Sequence, residues 1–246
     1  MKRASLFSLL ILLAPVLLEA QEVNVLMLGN SYTTGISHYV RSMLKHEAPE
    51  YSVTIVAPGG KDVRYHLTSD VTHEKLRTEK WDILVIQGQS LESALSPEYS
   101  KRFQDSVAGL VKLARDHGVT RVVLYQTWGR RDGHRKLREV YPDFQIMHKK
   151  VSEQYRRAAK RNRVELAPVG EAFARLHATD RELFRSLYTN DGSHPKPIGG
   201  YLAACVFTCL FTGKQATDIN WSGKIDPRTV QTLRSVADAA FVERSK

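Results

Sequence analysis

The sequence predicts an α/β fold in which helices cover both faces of a five-stranded parallel sheet. Short, near-continuous apolar runs rich in β-branched residues are typical of strands that are buried on both faces. Between them lie longer segments with apolar residues at helical spacing, and such alternation is typical of a parallel sheet. The predicted strands are residues 23–28, 52–57, 83–87, 121–126 and 164–167.

Helices are predicted between these strands, and only helices are predicted after the fifth strand. The predicted helices include residues 35–46, 98–117, 144–160, 197–211 and 226–242. No internal repeat, low-complexity segment or Pro/Gly/Ser-rich linker divides the chain. Residues 21–246 are therefore predicted to form a single domain, which is long enough to bury a substantial core.

The first twenty residues differ from the rest of the chain. Lys2 and Arg3 precede an apolar stretch, 6–18, which is shorter than the ~20 residues of a membrane-spanning helix. This order is typical of a secretory signal, so residues 1–20 are predicted to be a signal peptide and the protein to be secreted or periplasmic. Leu18 is large for its place before a cleavage site, which leaves the site open, and an uncleaved N-terminal anchor is the alternative. No stable membrane insertion is expected after signal removal.

The formal net charge of +10 favours contact with polyanions such as acidic polysaccharide, phosphorylated glycans or nucleic acid. Nucleic acid is not expected as a partner, because the sequence has no recognisable binding motif and no run of interleaved basic and aromatic residues. The densest basic cluster, residues 156–163, is interpreted as a solvated helix end.

The two cysteines, Cys205 and Cys209, are four residues apart in a predicted helix. Their Cβ atoms would lie ~5–6 Å apart, which is too far for a relaxed disulfide, so two buried free thiols are expected. Histidines outside the candidate site show no metal-like spacing, and neither a metal nor another cofactor is expected.

Ligands of such a fold bind beyond the carboxyl ends of the strands. Ser31 follows the first predicted strand and should lie at this edge of the sheet. A serine nucleophile needs a base for its proton and a third group that orients the base. In the segment YTNDGSHPKP, Asp191 precedes His194 by three residues, and a turn could bring the carboxylate to one ring nitrogen. Taken separately, the serine segment is more often only a turn with a helix cap, and the histidine segment is often only a tight turn.

A developing oxyanion also needs hydrogen-bond donors. The backbone N–H of Ser31 is one candidate, since it would lie near a helix N-terminus. Gly60 is a second, because a glycine lets the backbone approach a substrate closely. The side-chain amide of Gln89, after the third strand, is the third.

These residues resemble the SGNH (GDSL-like) hydrolase superfamily. The blocks that carry the resemblance are Gly29-Asn30-Ser31, Gly59-Gly60 and Asp191-Gly192-Ser193-His194, and their order and spacing extend over residues 23–213. The resemblance implies a three-layer α/β/α sandwich, flavodoxin-like, with Ser31 as nucleophile, His194 as base and Asp191 as its partner. The N–H groups of Ser31 and Gly60 would contribute to the oxyanion hole.

One block departs from the superfamily pattern. An asparagine usually follows the third strand in a Gly-x-Asn-Asp block, whereas this chain has IQGQSLES. This segment resembles a bacterial branch with Gln-x-Gln-Ser in that place. Gln89 is therefore expected to replace the asparagine as donor, with Gln87 and Ser90 as alternatives.

The loop after the fourth strand, residues 125–135, should overhang the same edge. Trp128 could stack on a sugar or acyl chain, and Arg130 and Arg131 could hold an anionic group. The alternative is an ordinary surface loop whose tryptophan packs against a helix. Asn30, Gly59, Trp128 and Arg130 are the predicted substrate-binding residues.

Together these observations predict a secreted serine esterase that removes a small acyl group, acetyl in the first instance, from a carbohydrate or similar ester. The reaction would pass through an acyl-enzyme intermediate. The partner is thus a small-molecule or oligosaccharide ester, and the oligomeric state is left open. The alternatives are a non-catalytic carbohydrate-binding protein on the same fold, and a lysophospholipase or thioesterase.

Overall fold

Five parallel strands form the sheet, in a computed structural model that describes residues 21–242. They are β1 (Val23–Leu28), β2 (Tyr51–Val56), β3 (Ile83–Ile86), β4 (Arg121–Tyr125) and β5 (Glu165–Ala167). Their order in the sheet is β2-β1-β3-β4-β5, and every pairing is parallel. The predicted fold class is confirmed, and the predicted strand limits differ from the observed ones by no more than one residue. The predicted signal peptide, residues 1–20, lies outside the described residues.

Four helices of the described range had no predicted bounds. The helices are α1 (Ser31–Glu47), α2 (Val63–Thr68), α3 (Asp70–Thr78), α4 (Pro97–Asp116), α5 (Phe144–Asn162), α6 (Val169–Thr179), α7 (Arg181–Ser186), α8 (Pro197–Thr212) and α9 (Pro227–Val242). Of these, α2 and α3 are six and nine residues long, too short for a clear apolar period. The other two, α6 and α7, lie in the region after β5 where only helices were predicted. None of the helices within residues 21–242 combines the length and apolar character that crossing a membrane requires.

The sheet lies between two apolar clusters, and helices cover each cluster. The fold therefore has three layers: helices, sheet and helices. Side chains alternate along β1, so Val25 and Met27 join one cluster while Leu26 and Leu28 join the other. The first cluster packs against α1, α6, α8 and α9, and the second packs against α4 and α5. Helix α8 is apolar on nearly all sides because it is buried beside α1 and α9. Cys205 and Cys209 lie on it as buried free thiols, as predicted.

The order of the strands places the switch point of the sheet, where a ligand crevice is expected, at the carboxyl ends of β1 and β3. After β1 the chain adds β2 on one side and then returns to add β3 on the other side. Adjacent loops diverge at such a switch point, and ligands bind there. Ser31 and the segment after β3 are consequently neighbours in the fold.

A glycine in α1 lets the segment that carries His194 approach this crevice. A Cβ on Gly35 would lie 2.9 Å from Cγ of Pro195, which is closer than real Cβ atoms come. Glycine within a helix costs about 1 kcal/mol relative to alanine. The close approach of Pro195 accounts for its presence, since a larger residue would push the two segments apart.

Candidate active site

Ser31 is the first residue of α1 and follows β1 by two residues. Asn30 caps the helix with an extended backbone, and its Oδ1 accepts a hydrogen bond from the Tyr32 N–H at 3.1 Å. The Ser31 N–H has no intrahelical acceptor at this position, and among residues 21–242 we find none elsewhere. It is thus available, at the positive end of the helix dipole.

The structure brings together Ser31, His194 and Asp191, which are distant in the sequence. Ser31 Oγ lies 2.9 Å from His194 Nε2, and His194 Nδ1 lies 2.5 Å from Asp191 Oδ2. An ionised carboxylate only accepts, so the ring donates from Nδ1 and a neutral ring accepts from Ser31 at Nε2. This tautomer is the one that a general base at Ser31 requires.

Asp191 is held as an ionised acceptor. Its Oδ1 accepts hydrogen bonds from Thr189 Oγ1, Ser193 N and His194 N at 2.7, 2.8 and 3.0 Å. Burial alone would raise the pKa of Asp191, but the hydrogen bonds from His194, Thr189 and the backbone lower its pKa well below the usual range. The carboxylate therefore stays charged wherever an ester hydrolase would work.

Trp128 anchors the histidine loop from beneath, and its predicted contact with substrate is wrong. Its ring is fully buried between Tyr32 and Phe173, with centroid distances of 4.9 and 4.2 Å. Its Nε1 donates to the Ser193 carbonyl at 3.0 Å, and Tyr32 reaches Ser193 Oγ at 2.7 Å. A fully buried ring cannot stack on a ligand, so Trp128 holds the loop that precedes His194.

Gln87 supports the loop before Ser31 and is not a free oxyanion donor. Its Oε1 accepts from the Asn30 N–H and from Thr33 Oγ1, each at 2.9 Å, and its amide nitrogen donates to the Gly88 carbonyl. A Cβ on Gly29 would lie 2.6 Å from that Oε1. Glycine at position 29 is required because this buried amide packs directly against the backbone.

Asn30 positions the glycine loop, and a direct contact of its side chain with substrate is excluded. Its Nδ2 donates to the Lys61 carbonyl at 2.8 Å while its Oδ1 caps α1, and the residue is 3% exposed. The bond ties the turn that contains Gly59 and Gly60 to the residue before Ser31. Both glycines are exposed, and we find no acceptor for the Gly60 N–H among the described residues.

One end of the Gln89 amide has no hydrogen-bond partner among residues 21–242. Its Oε1 accepts from the Leu91 N–H at 2.7 Å, and its backbone N–H donates to Glu92 Oε2 at 3.1 Å. Since the oxygen is engaged, the NH₂ group is the available end, and an oxyanion hole requires this polarity. Ser90, the other alternative, is buried and accepts from Arg130 at 3.4 Å.

Glu92 is a buried carboxyl group beneath this segment that the sequence analysis did not identify. It joins two loops, because its Oε2 accepts from the backbone N–H groups of Val63 at 3.3 Å and Gln89 at 3.1 Å. Burial, followed by the negative charge of Asp62, raises its pKa to about 7. The sequence around Glu92 gives no signal that this side chain is buried. Its burial depends on contacts with segments elsewhere in the chain, among them the Val63 N–H at the start of α2.

We expect Glu92 to make the protein less stable as pH rises from 5 to 8. A carboxyl group whose pKa is raised in the folded state contributes stability at pH values below its unfolded pKa. This contribution is lost as pH rises from the unfolded pKa through the folded pKa. Relative to Glu92→Gln, the wild type should lose about 2 kcal/mol of unfolding free energy between pH 5 and pH 8. Urea unfolding of both proteins at the two pH values measures this difference. Glu153→Gln, at an exposed position on α5, is the control; an equal change for both variants would contradict the assignment.

Arg130 lies in a cleft beside Asp191, whereas Arg131 is engaged in local contacts. The cleft has a volume of about 580 Å³, and Arg130, Asp191 and Gly192 are among its lining residues. The Arg131 guanidinium pairs with Asp132 at 2.7 Å, and the Arg131 backbone N–H donates to the Gly192 carbonyl at 2.8 Å. Within residues 21–242, no group of three His, Cys, Asp or Glu side chains is arranged to hold a metal ion.

The sequence matches no known family model and none of the curated proteins, but solved structures share its fold. A DUF4886 family protein from Bacteroides uniformis has a TM-score of 0.74 at 21% identity, over 92% of this chain and 97% of that protein. A candidate SGNH hydrolase from Slackia heliotrinireducens is 32% identical, with a TM-score of 0.64 over 76% of this chain and 97% of that protein. A catalytic variant of an acetylxylan esterase from Geobacillus stearothermophilus is 18% identical, with a TM-score of 0.57 over 79% and 96% of the two chains.

Fold and site together define a parallel α/β protein with a Ser–His–Asp hydrogen-bond chain at the carboxyl ends of its strands. Given 32% identity over nearly all of the Slackia heliotrinireducens protein, the chain belongs to the SGNH hydrolase superfamily. The likeness to the acetylxylan esterase shows a shared fold.

Proposed function

We propose that this chain is a serine esterase that removes a small acyl group, acetyl in the first instance, from an acylated carbohydrate. The observation that carries the proposal is the hydrogen-bond chain from Asp191 through His194 to Ser31 Oγ. A serine becomes a nucleophile when a base takes its proton and a third group orients that base. This chain of contacts supplies both groups.

In the proposed reaction, Ser31 Oγ attacks the ester carbonyl carbon while His194 Nε2 takes the hydroxyl proton. The carbonyl oxygen becomes an oxyanion, which the N–H groups of Ser31 and Gly60 and the amide of Gln89 would stabilise. As the tetrahedral intermediate collapses, His194 gives its proton to the leaving alkoxide and the acyl group remains on Ser31. Water then attacks the acyl-enzyme by the same steps, which releases the acid and restores the serine.

Three observations support the choice of substrate. The side chains of His194 and Asp191 are 42% and 48% exposed, so the site is open to a bulky polar leaving group. The neighbouring cleft is lined mainly by charged residues, which suits a saccharide better than a long acyl chain. Acetylxylan esterases share the fold. The predicted signal at residues 1–20 leads us to propose that the protein acts outside the cytoplasm, where such polymers occur.

A fluorophosphonate probe tests the proposal without knowledge of the substrate. It should form one covalent adduct, located by mass spectrometry at Ser31, because only an activated hydroxyl attacks phosphorus at a useful rate. Ser37→Ala, on the same helix, should label like the wild type, and Ser31→Ala should not label. Labelling that persists in Ser31→Ala, or no labelling of the wild type, would refute the assignment of Ser31.

A further inference from the structure

The cleft beside Asp191 has a strongly cationic lining. Four of its side chains, Arg130, Arg135, Lys136 and Arg138, carry a permanent positive charge, and His134 lies among them. None of the four forms an ion pair with a carboxylate of residues 21–242. The cleft has a volume of about 580 Å³, enough for a monosaccharide-sized group.

The two carboxylates of the cleft do not neutralise these cations. Asp132 pairs with Arg131 at 2.7 Å and with Arg185 at 3.2 Å, and neither arginine is one of the four. Asp191 is bonded to the His194 ring at 2.5 Å. The net positive charge of the lining is thus left for a ligand.

Two buried nitrogen atoms at the cleft lack a partner. Arg130 Nε and His134 Nδ1 are buried, and no described residue forms a hydrogen bond with either. Burial, followed by the positive charges of Arg130 and Lys136, lowers the pKa of His134. A buried guanidinium N–H without an acceptor costs free energy, so the charge of Arg130 is only partly satisfied by the described residues.

The cleft is joined to the candidate active site through short contacts. Arg130 donates to Ser90 Oγ at 3.4 Å, in the segment that also contains Gln89. The Arg131 N–H donates to the Gly192 carbonyl at 2.8 Å, within the loop that carries Asp191 and His194. Asp191, which lines the cleft, is linked through His194 to Ser31 Oγ by two successive hydrogen bonds.

We propose that this cleft binds an anionic substituent of the ester substrate, a carboxylate as in a uronic acid or a phosphate or sulfate ester. The inference rests on the proposed esterase function and names its substrate class: acylated acidic saccharides. Arginine side chains bind such oxyanions through paired N–H donors. Electrostatic attraction by the cleft would also raise the association rate of anionic substrates.

Matched ligands that differ in one anionic group test this inference. Titration calorimetry on the Ser31→Ala protein, which cannot turn over the ester, compares O-acetylated glucuronic acid with O-acetylated glucuronamide. The acid should bind about tenfold more tightly at low salt, because one charge-assisted contact has roughly this effect, and the difference should shrink as salt increases. O-acetylated glucose 6-phosphate and O-acetylated glucose form the second pair and show which anion is preferred.

Variants locate the effect. Arg135→Gln combined with Arg138→Gln removes two exposed cations of the cleft, and Arg130→Gln removes the partly buried one; each should reduce the preference for the anion at least threefold. Arg157→Gln, an exposed arginine on α5, makes the same charge change elsewhere and should leave the preference as it is. Equal or unmeasurable binding within both pairs, or a preference that the cleft variants retain, would overturn the inference.

The two proposals fail in different ways. If the wild type hydrolyses p-nitrophenyl acetate no faster than Ser31→Ala, the esterase function is wrong, while the calorimetric preference still tests the cleft. If Ser31-dependent hydrolysis is found but charge has no effect on binding, only the inference about the cleft is wrong.

Discussion

Ser31→Ala is expected to lower kcat for p-nitrophenyl acetate by about 10⁴-fold, without loss of the folded state. The Oγ atom is half-buried and has one hydrogen-bond partner among the described side chains, His194 Nε2 at 2.9 Å. Alanine removes that oxygen and little else, so the fold should be retained. Initial rates with the purified proteins measure the loss, and circular dichroism checks the fold.

The same chain of contacts predicts strong non-additivity. His194→Ala should cost about as much activity as Ser31→Ala, and the double variant should be no slower than either, because nucleophile and base act as a unit. Ser37→Ala, with its hydroxyl bonded to the Thr34 carbonyl, is the matched control and should keep wild-type activity. Independent, multiplicative losses would show that the 2.9 Å contact has no role in proton transfer.

Glu171→Ala is expected to lower the free energy of unfolding by about 3–5 kcal/mol. Glu171 lies in the first turn of α6, beneath β4 and α5, and is 7% exposed. Its Oε1 accepts from Ser152 Oγ and Arg156, each at 2.6 Å, and from Gln126 Nε2 at 2.9 Å. Its Oε2 lies 3.3 Å from His148 Nε2. Removing the carboxylate leaves the buried Ser152 hydroxyl and Gln126 amide without their common acceptor, and the exposed Arg156 without its ion pair.

The pH dependence of this loss has a definite sign. Burial alone would raise the pKa of Glu171, but His148, Ser152 and Gln126 lower it well below the usual range. A depressed pKa contributes stability above the unfolded value of about 4.3, and this stability disappears as pH falls toward the folded value. Urea unfolding should therefore show a smaller gap between wild type and Glu171→Ala at pH 3 than at pH 7.

Glu153→Ala, an exposed glutamate on α5, is the control for helix propensity and net charge. It should change the unfolding free energy by less than about 0.5 kcal/mol at either pH. If Glu171→Ala were equally mild, the buried cluster would contribute nothing to stability.

The fold was largely predictable from the sequence because its signals are local. Apolar strands such as 83–86 are buried on both faces, and α4 and α5 repeat apolar residues at helical spacing; neither pattern depends on distant residues. The helices α2 and α3 were not predicted because six and nine residues are too few to show such a period. Their place in the fold comes from tertiary contacts, among them the bond from the Val63 N–H to Glu92.

At the site, motif order gave Ser31, Asp191 and His194 as candidates, and the structure places Ser31 and Asp191 each within hydrogen-bond distance of His194. The roles of the residues around them were harder to predict. Trp128 and Asn30 were expected to contact substrate, yet one is stacked between two rings and the other is engaged at both ends of its amide. Glu92 was not identified, and Gln87 was only an alternative donor.

The sequence by itself determined the order of strands and helices, the glycine-marked loops at the carboxyl edge, and the candidate serine, histidine and aspartate. These depend on periodicity and on chemistry within a few neighbouring residues. Only the tertiary structure decided which polar side chains remain free for a substrate and which are used to support the loops. That difference is physical: a donor or acceptor is available only if no group packed against it has already satisfied it, and those groups come from segments far apart in the chain.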